Sequence, residues 1–294
     1  MDYYLETDQL TKVYKNHTAL DHVSIHVRKG DVYALSGQTG SGKTSLLKII
    51  AQLALPTSGE VRFSENIGET GLGVLIEDPG FFPNLSAYQN LEIRRRALGA
   101  WDTKNSRELL SFTGLSSWAD VKVRSFSGAM KKRLAVSMAL VNDPPLLLMD
   151  ELLTGLDQQT FHDFGIILRA LKAQEKTIVI SGSRPEEMVK YADAFGFLEN
   201  GALREEKTTE EIRRHLLSHI RISAEPMDKV REVLEEMGIF SYQVQNGSAL
   251  LLMERFDDID EILSRLKENG VEVHASYPVY DMPEAYFSAS SARR

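Results

Sequence analysis

The amino-acid sequence predicts an α/β fold, a largely parallel sheet that brackets a helical insertion, followed by a small α+β domain. Three features carry that expectation. The short apolar runs Leu146–Met149 and Thr177–Ser181 lack the polar alternation of a half-exposed sheet and suit strands buried on both faces. From Pro83 to Leu140 the apolar positions recur at helical spacing. After about Arg213 the texture shifts to a compact βαββαβ order. The 294 residues accommodate one large and one smaller domain, since domains commonly hold about 100 to 200 residues.

Element by element, strands are expected at Tyr4–Leu10, His22–Val27 and Val32–Ser36, with turn signals at Lys15–Asn16 and Lys29–Gly30. From Thr44 a helix places Leu46, Leu47, Ile50 and Leu53 on one face, until Pro56 and Gly59 stop it. In the middle block Leu91, Ala97 and Leu98, then Leu109 and Leu110, then Leu134, Met138 and Leu140 mark helices. Pro145 introduces the strand Leu146–Met149, and a helix bearing Phe164, Ile167, Leu168 and Leu171 leads to Thr177–Ser181. Further on, a strand at His219–Ser223 precedes a helix with Val230, Val233, Leu234 and Met237 in register. Asn246–Gly247 is a hairpin signal between Tyr242–Val244 and Leu250–Met253. A second helix carries Ile259, Ile262, Leu263 and Leu266, ends at Gly270 and feeds the strand Val271–Ser276. That order is ferredoxin-like. The expected domains are residues 1–213, with a helical subdomain at about 83–140, and 214–294, whose end Ser288–Arg294 reads as a polar, frayed tail.

Composition narrows the function classes. Hydrophobic residues make up 43% and charged residues 26%, the balance of a packed protein. There is no Cys, which excludes disulfides, thiolate nucleophiles and cysteine-ligated zinc or iron–sulfur clusters. Met1 to Gln9 carries Asp2, Glu6 and Asp8 where a signal peptide would be basic then apolar, and no apolar run reaches the roughly 18 residues of a membrane span. The net charge of −8 argues against a nucleic-acid partner, although a local basic patch stays open.

The sharpest motif is Gly37-Gln38-Thr39-Gly40-Ser41-Gly42-Lys43-Thr44, which fits G-x-x-x-x-G-K-[ST] between a predicted strand and a predicted helix; Ser45 follows in the first turn. Successive backbone amides of such a loop surround a phosphate chain, and its glycines remove Cβ atoms from that path. Lys43 would reach the β- and γ-phosphates as a point charge, and the Thr44 hydroxyl would bind Mg²⁺. An acidic pair, Asp150-Glu151, closes the buried run Leu146–Met149. Asp150 would hold Mg²⁺ from its second shell, and Glu151 would orient and deprotonate the water attacking the γ-phosphate. Capping of the next helix is the plainer alternative for both carboxylates. The fold class is therefore that of a P-loop NTPase with ATP and Mg²⁺ as ligands.

Together with Ser127-Gly128-Ala129-Met130 ahead of the acidic strand, these residues resemble the ATP-binding subunit of an ABC transporter over roughly residues 3 to 210. The resemblance implies a head-to-tail dimer, with a second copy or another ATP-binding subunit. In it Ser127, Gly128, Ala129 and Met130 would act as the signature that reaches ATP held by the other subunit's phosphate loop. It further implies a transmembrane permease partner and a cytoplasmic, peripheral place on the inner face of the cell membrane. Tyr14 matches the aromatic that lies against adenine, and also suits a half-buried strand end. Glu77, in Val74-Leu75-Ile76-Glu77-Asp78-Pro79-Gly80, stands where most members have Gln and is similar to the bacitracin-resistance and lantibiotic-immunity type; its carboxylate is a hard ligand able to touch Mg²⁺ or its water. Thr154-Gly155-Leu156-Asp157 resembles the loop between the two subunits' sites, while Asp157 equally suits a helix N-cap.

Three positions depart from the family pattern. Ser183 stands where a switch His would be, with Arg184 beside it as a possible support. Leu152 replaces the Pro after the acidic pair, and Ala129-Met130 replace Gly-Gln. Serine cannot hold a positive charge or span the same distance to a γ-phosphate, so the hydrolysis rate does not follow from the family. The functions expected are an ATPase subunit powering export of a peptide, antibiotic or lipid-like compound, or an ATP-dependent dimerisation switch with little turnover. A soluble translation or repair factor fits less well, because the chain has one phosphate loop. Arg94-Arg95-Arg96 and Lys131-Lys132-Arg133 read as solvated helix faces, and Phe81, Phe82 and Trp101 as core.

Overall fold

The computed structural model of the chain describes residues 3–64, 71–77, 80–100, 105–240, 242–245, 248–252 and 259–280. Asp78, Pro79, Trp101, the Asn246–Gly247 turn, Met253 and the tail Ser288–Arg294 lie outside the described residues. Two compact units divide the chain, Met1–Thr209 and Glu210–Arg294, where the sequence places a boundary at residue 213.

The first unit holds two sheets. Strands β1 (Leu5–Tyr14), β2 (His17–Val23), β3 (His26–Val27) and β5 (Ser58–Phe63) form an antiparallel sheet in which β1 is flanked by the others. The single strand expected at His22–Val27 is two strands. Thr7, buried in β1, explains the break: its hydroxyl donates to the Val23 carbonyl at 3.0 Å and accepts from the Ile25 amide at 2.9 Å, so a side chain replaces the ladder where the chain changes neighbours.

The second sheet has the order β10-β9-β4-β8-β7-β6, from β4 (Val32–Ser36), β6 (Leu72–Leu75), β7 (Leu146–Met149), β8 (Thr177–Gly182), β9 (Ala194–Glu199) and β10 (Ala202–Thr208). It is parallel except for the β9–β10 pair. Every residue of β4, β7 and β8 is buried, as their uninterrupted apolar runs require. Helix α1 (Lys43–Ile50) packs Leu46, Leu47 and Ile50 into a core shared with Leu5, Leu10 and Leu20 of one sheet and Tyr33, Leu35 and Leu148 of the other. The helix stops earlier than expected. Gln52 adopts φ +59°, the amides of Leu53 and Ala54 turn back to the Lys48 carbonyl, and Leu53 is 64% exposed instead of in the core.

The insertion contains α2 (Ala87–Ala97), α3 (Ser106–Phe112) and α4 (Gly128–Ala139), with α2 opened by a Ser86/Gln89 capping box. Leu91, Leu109, Leu110, Leu134 and Leu140 are buried as their spacing predicts, whereas Ala97 and Leu98 are exposed at the end of α2. Helix α5 (Gln158–Ala173) buries Phe164, Ile167, Leu168 and Leu171, and α6 (Pro185–Met188) is a single turn. No helix among the described residues is long and apolar enough to cross a membrane.

Helix α7 (Thr209–Leu216) opens the second unit. There β11 (Leu217–Glu225), α8 (Met227–Glu236), β12 (Tyr242–Gln245), β13 (Ser248–Leu252), α9 (Ile259–Glu268) and β14 (Glu272–Tyr280) follow the βαββαβ order. The strands pair antiparallel in the order β12-β13-β11-β14, and Ile222, Ala224, Val230, Leu234, Ala249, Ile262 and Leu266 form the core.

Candidate active site

Strands β4, β8 and β7 lie side by side and parallel, so the segments leaving their carboxyl ends emerge in one row. The Gly37–Gly42 loop leaves β4, Asp150 and Glu151 leave β7, and Ser183 follows β8. Two loop glycines are sterically obligatory. A Cβ on Gly37 would run into the Leu198 carbonyl oxygen, and one on Gly42, at φ +108°, into the Ala19 carbonyl oxygen. Gly42 caps α1 without a side-chain partner, and the amides of Gly42, Lys43, Thr44 and Ser45 find no acceptor among the described residues. These donors face outward at a helix N-terminus, an arrangement that attracts an anion. Ser41 Oγ is buried without a hydrogen-bond partner among the described residues. Several oxygens of a phosphate chain together would satisfy these donors.

Lys43 is 5% exposed. Its Nζ donates to the carbonyls of Gly37 at 2.7 Å and Gln38 at 2.9 Å, and lies 3.7 Å from Glu151 Oε1. Burial holds its pKa below the ordinary lysine value, against the opposing pull of Glu151 and Asp150. Thr44 Oγ1 donates to Asp150 Oδ2 at 2.7 Å, so the two oxygens expected to meet a metal are already adjacent. Both are hard ligands. Magnesium is commonly bound through one or two carboxylates plus substrate phosphates, and a hydroxyl beside a carboxylate at a phosphate loop fits that demand. No cluster of three or more His, Asp or Glu side chains suited to a metal occurs among the described residues.

Two residues that the sequence reading passed over hold the acidic pair. Ser181, on β8, donates to Asp150 Oδ1 and accepts from the Glu151 amide at 2.9 Å. Lys132 Nζ reaches the carbonyls of Glu151, Leu152 and Thr154 at 2.8, 3.1 and 2.6 Å. The expectation that Lys131-Lys132-Arg133 is a solvated face therefore holds for Lys131 alone. Arg133 instead donates to the Thr113 carbonyl at 2.9 Å and pairs with Asp163 at 2.5 Å. Arg95 likewise turns in toward Ala100 and Glu92, which corrects the solvated reading of Arg94-Arg95-Arg96. For Lys132 and Arg133 no sequence signal separates them from their exposed neighbours, because their partners lie 19 to 30 residues away in the chain.

Glu77 follows β6, the parallel neighbour of β7, and Ser183 follows β8. Glu77, at φ +59°, is exposed and pairs with Lys48 at 2.5 Å. Tyr14 ends β1, is 42% exposed, and has Lys12 Nζ 4.8 Å from its ring centre. Ser127 caps α4 through the Met130 amide at 3.2 Å, and the amides of Gly128 and Ala129 have no acceptor among the described residues. No hydrogen bond joins this cap to the chain's own phosphate loop among the described residues. Asp157 caps α5 through the Thr160 amide and hydroxyl, bonds that keep its carboxyl below the ordinary range. Ser183 is half-buried, and Arg184 pairs with Glu186 at 3.2 Å and Glu187 at 2.6 Å. Leu152 is buried, where the side chain fills space without a polar demand. Phe82 is 51% exposed, which corrects its expected place in the core. Phe81 is half-buried and lines a cavity of about 590 Å³ with Glu77, Lys132, Asp150 and Glu151.

A glycine loop and an acidic pair at the carboxyl ends of parallel strands define a nucleotide-hydrolysing cassette. The chain belongs to the ABC transporter family, as an ATP-binding subunit and an ATPase coupled to transport, as relatives alike over nearly its whole length show; the ABC transporter family model matches residues 20–154. It is 30% identical over 296 residues to an uncharacterized ABC transporter ATP-binding protein, YcbN, of Bacillus subtilis (strain 168), spanning 98% of this chain and 96% of the relative. Identity is also 30% to the bacitracin transport ATP-binding protein BcrA of Enterococcus faecalis, over 98% of this chain and 96% of that protein. The lantibiotic transport ATP-binding protein SrtF of Streptococcus pyogenes is 34% identical over 69% of this chain and 90% of its own. Among solved structures, a nucleotide-free ATP-binding cassette from an ABC transporter superposes with a TM-score of 0.62 at 26% identity, covering 71% of this chain and 92% of that one.

Proposed function

We propose that this chain powers a separate membrane-spanning permease from the inner face of the cell membrane, exporting a peptide, antibiotic or lipid-like compound. Relatives named for bacitracin transport, lantibiotic transport and Nod factor export support that class of cargo. One observation carries the catalytic part: the unpaired amides of Gly42 to Ser45 and the orphaned Ser41 hydroxyl lie beside the Lys43, Thr44, Asp150 and Glu151 constellation. In this reading the loop amides and Lys43 take the phosphates, and Lys43 gives up its bonds to Gly37 and Gln38 to do so. Tyr14 offers its exposed ring to adenine. Thr44 and Asp150 hold magnesium, which when bound neutralises charge on the phosphoryl oxygens. Glu151 orients the attacking water and accepts its proton. Glu77 joins only after releasing Lys48.

Ser127 and the free amides of Gly128 and Ala129 serve the phosphates held by a partner ATP-binding subunit, either a second copy or a different one. Asp157 contributes to the inter-subunit loop while capping α5. Residues 1–213 act as the ATP-binding domain and residues 214–294 as a ferredoxin-like accessory domain, a reading supported by the antiparallel β12-β13-β11-β14 order. A second reading, an ATP-dependent dimerisation switch with slow hydrolysis, is favoured by Ser183, whose side chain is too short to replace an imidazole.

The test is ATP turnover by the full chain and its Glu151→Gln variant. Turnover is expected to fall at least about 100-fold with ATP affinity retained. Undiminished turnover in Glu151→Gln refutes the assignment, and a large gain in Ser183→His over a nearly inactive parent favours the switch.

A further inference from the structure

We propose that Ser181 is a positioning residue, a hydroxyl bridge that fixes the Asp150 carboxylate and the Glu151 turn for magnesium-dependent nucleotide binding. The inference rests on the reading of Thr44 and Asp150 as the magnesium site. Its basis is topological. Strand β8 lies between β4 and β7, with Ser181 in register with Leu35 on one side and Ile180 with Met149 on the other. Ser181 therefore stands at the one strand that touches both the phosphate-loop strand and the acidic strand.

The side chain is 2% exposed, so water does not compete for it. A serine hydroxyl has one donor and two acceptor sites. Here the donor goes to Asp150 Oδ1, and a lone pair takes the Glu151 amide at 2.9 Å. Asp150 is thus held through both oxygens, by Ser181 at Oδ1 and by Thr44 at Oδ2. Once Thr44 turns its oxygen to a metal, its bond to Asp150 weakens. Among the described residues, Ser181 then remains as the side-chain donor that keeps the carboxylate from rotating. Glu151 sits at φ +48°, a left-handed conformation that a non-glycine residue rarely keeps without help. The bond from its amide to Ser181 supplies that help.

The test measures equilibrium ATP binding to the full chain by Ser181→Ala and Ser181→Thr, first with a chelator and then across a magnesium titration. Thermal unfolding without nucleotide is run in parallel. In Ser181→Ala, magnesium-free ATP affinity is expected within about twofold of wild type, because the phosphate loop is untouched. The magnesium concentration for half-maximal tightening is expected to rise about tenfold, as a charge-assisted bond is lost. Ser181→Thr, which keeps the hydroxyl, is expected to restore the response to within about threefold. An unchanged magnesium midpoint in Ser181→Ala overturns the proposal, as does a parallel loss of magnesium-free affinity that Ser181→Thr does not rescue. Should Ser181→Ala fail to fold, Ser181→Cys fills the site with a slightly larger group and a weaker donor, and a wild-type magnesium response in it overturns the proposal equally. Failure of wild type itself to bind ATP would instead sink the functional reading beneath it.

Discussion

Replacing Lys132 with Met keeps the aliphatic stem and removes an ammonium that three carbonyls share, those of Glu151, Leu152 and Thr154. Hydrogen bonds to a charged group contribute about 1.5 to 3 kcal/mol each where water is excluded. Two features reduce the sum. The contact to Thr154 is exposed to solvent, and burial already holds the Lys132 pKa below the ordinary lysine value, so part of the attraction is offset by desolvation. A net loss of about 2 kcal/mol remains, which for a unit of this size corresponds to a fall in melting temperature of about 4 to 8 °C. Because the freed carbonyls belong to the turn that carries Glu151, turnover should fall about tenfold or more while ATP affinity holds, since small displacements of a reacting group cost rate steeply. Thermal denaturation and steady-state ATPase kinetics of Lys132→Met read both effects. A melting temperature within 1 °C of wild type, by the same size relation worth under about 0.5 kcal/mol, together with unchanged turnover, would show that water replaces the ammonium and that the tether is incidental.

Further expectations follow from the loop and its lysine. Gly42→Ala forces a Cβ onto the Ala19 carbonyl at φ +108°, and should destabilise the chain by about 2 kcal/mol or more, measured by urea unfolding. Since burial lowers the folded-state pKa of Lys43, the unfolded chain binds more protons between that value and 10.5, and stability without nucleotide should rise with pH through this alkaline window. Urea midpoints of wild type against Lys43→Met across that range check the sign: the rise should shrink in the variant.

Much of the site was legible because its chemistry is local in the chain. The phosphate loop is eight consecutive residues, Gly37 to Thr44, and the acidic pair closes a run of four buried residues, Leu146 to Met149, so both could be placed on elements without knowing the sheet. Ser181 escaped notice because its function comes from β8 lying between β4 and β7, a neighbourhood that no single segment specifies. Lys132 escaped for the same reason, as a lysine on a helix reads as solvated until the loop that it grips is placed. In the fold, β6 was missed because Gly73 interrupts a four-residue strand; there a Cβ would strike Leu147 of the adjacent strand. Strand β10 was missed because Arg204, Glu205, Glu206 and Lys207 give an antiparallel edge strand no apolar signature. The α1 terminus was overrun because Leu53 continues the apolar spacing, while the left-handed Gln52 ends the helix.

The most direct measurement is an equilibrium titration of the full chain with ATP and magnesium, wild type beside Lys43→Ala. Saturable binding in wild type, weakened at least about 100-fold in the variant, is the expected result, because the loop would lose its buried cation. Equal affinity in the two proteins, or no saturable binding in wild type, would contradict the assignment of Gly37 to Thr44 as the site of the triphosphate.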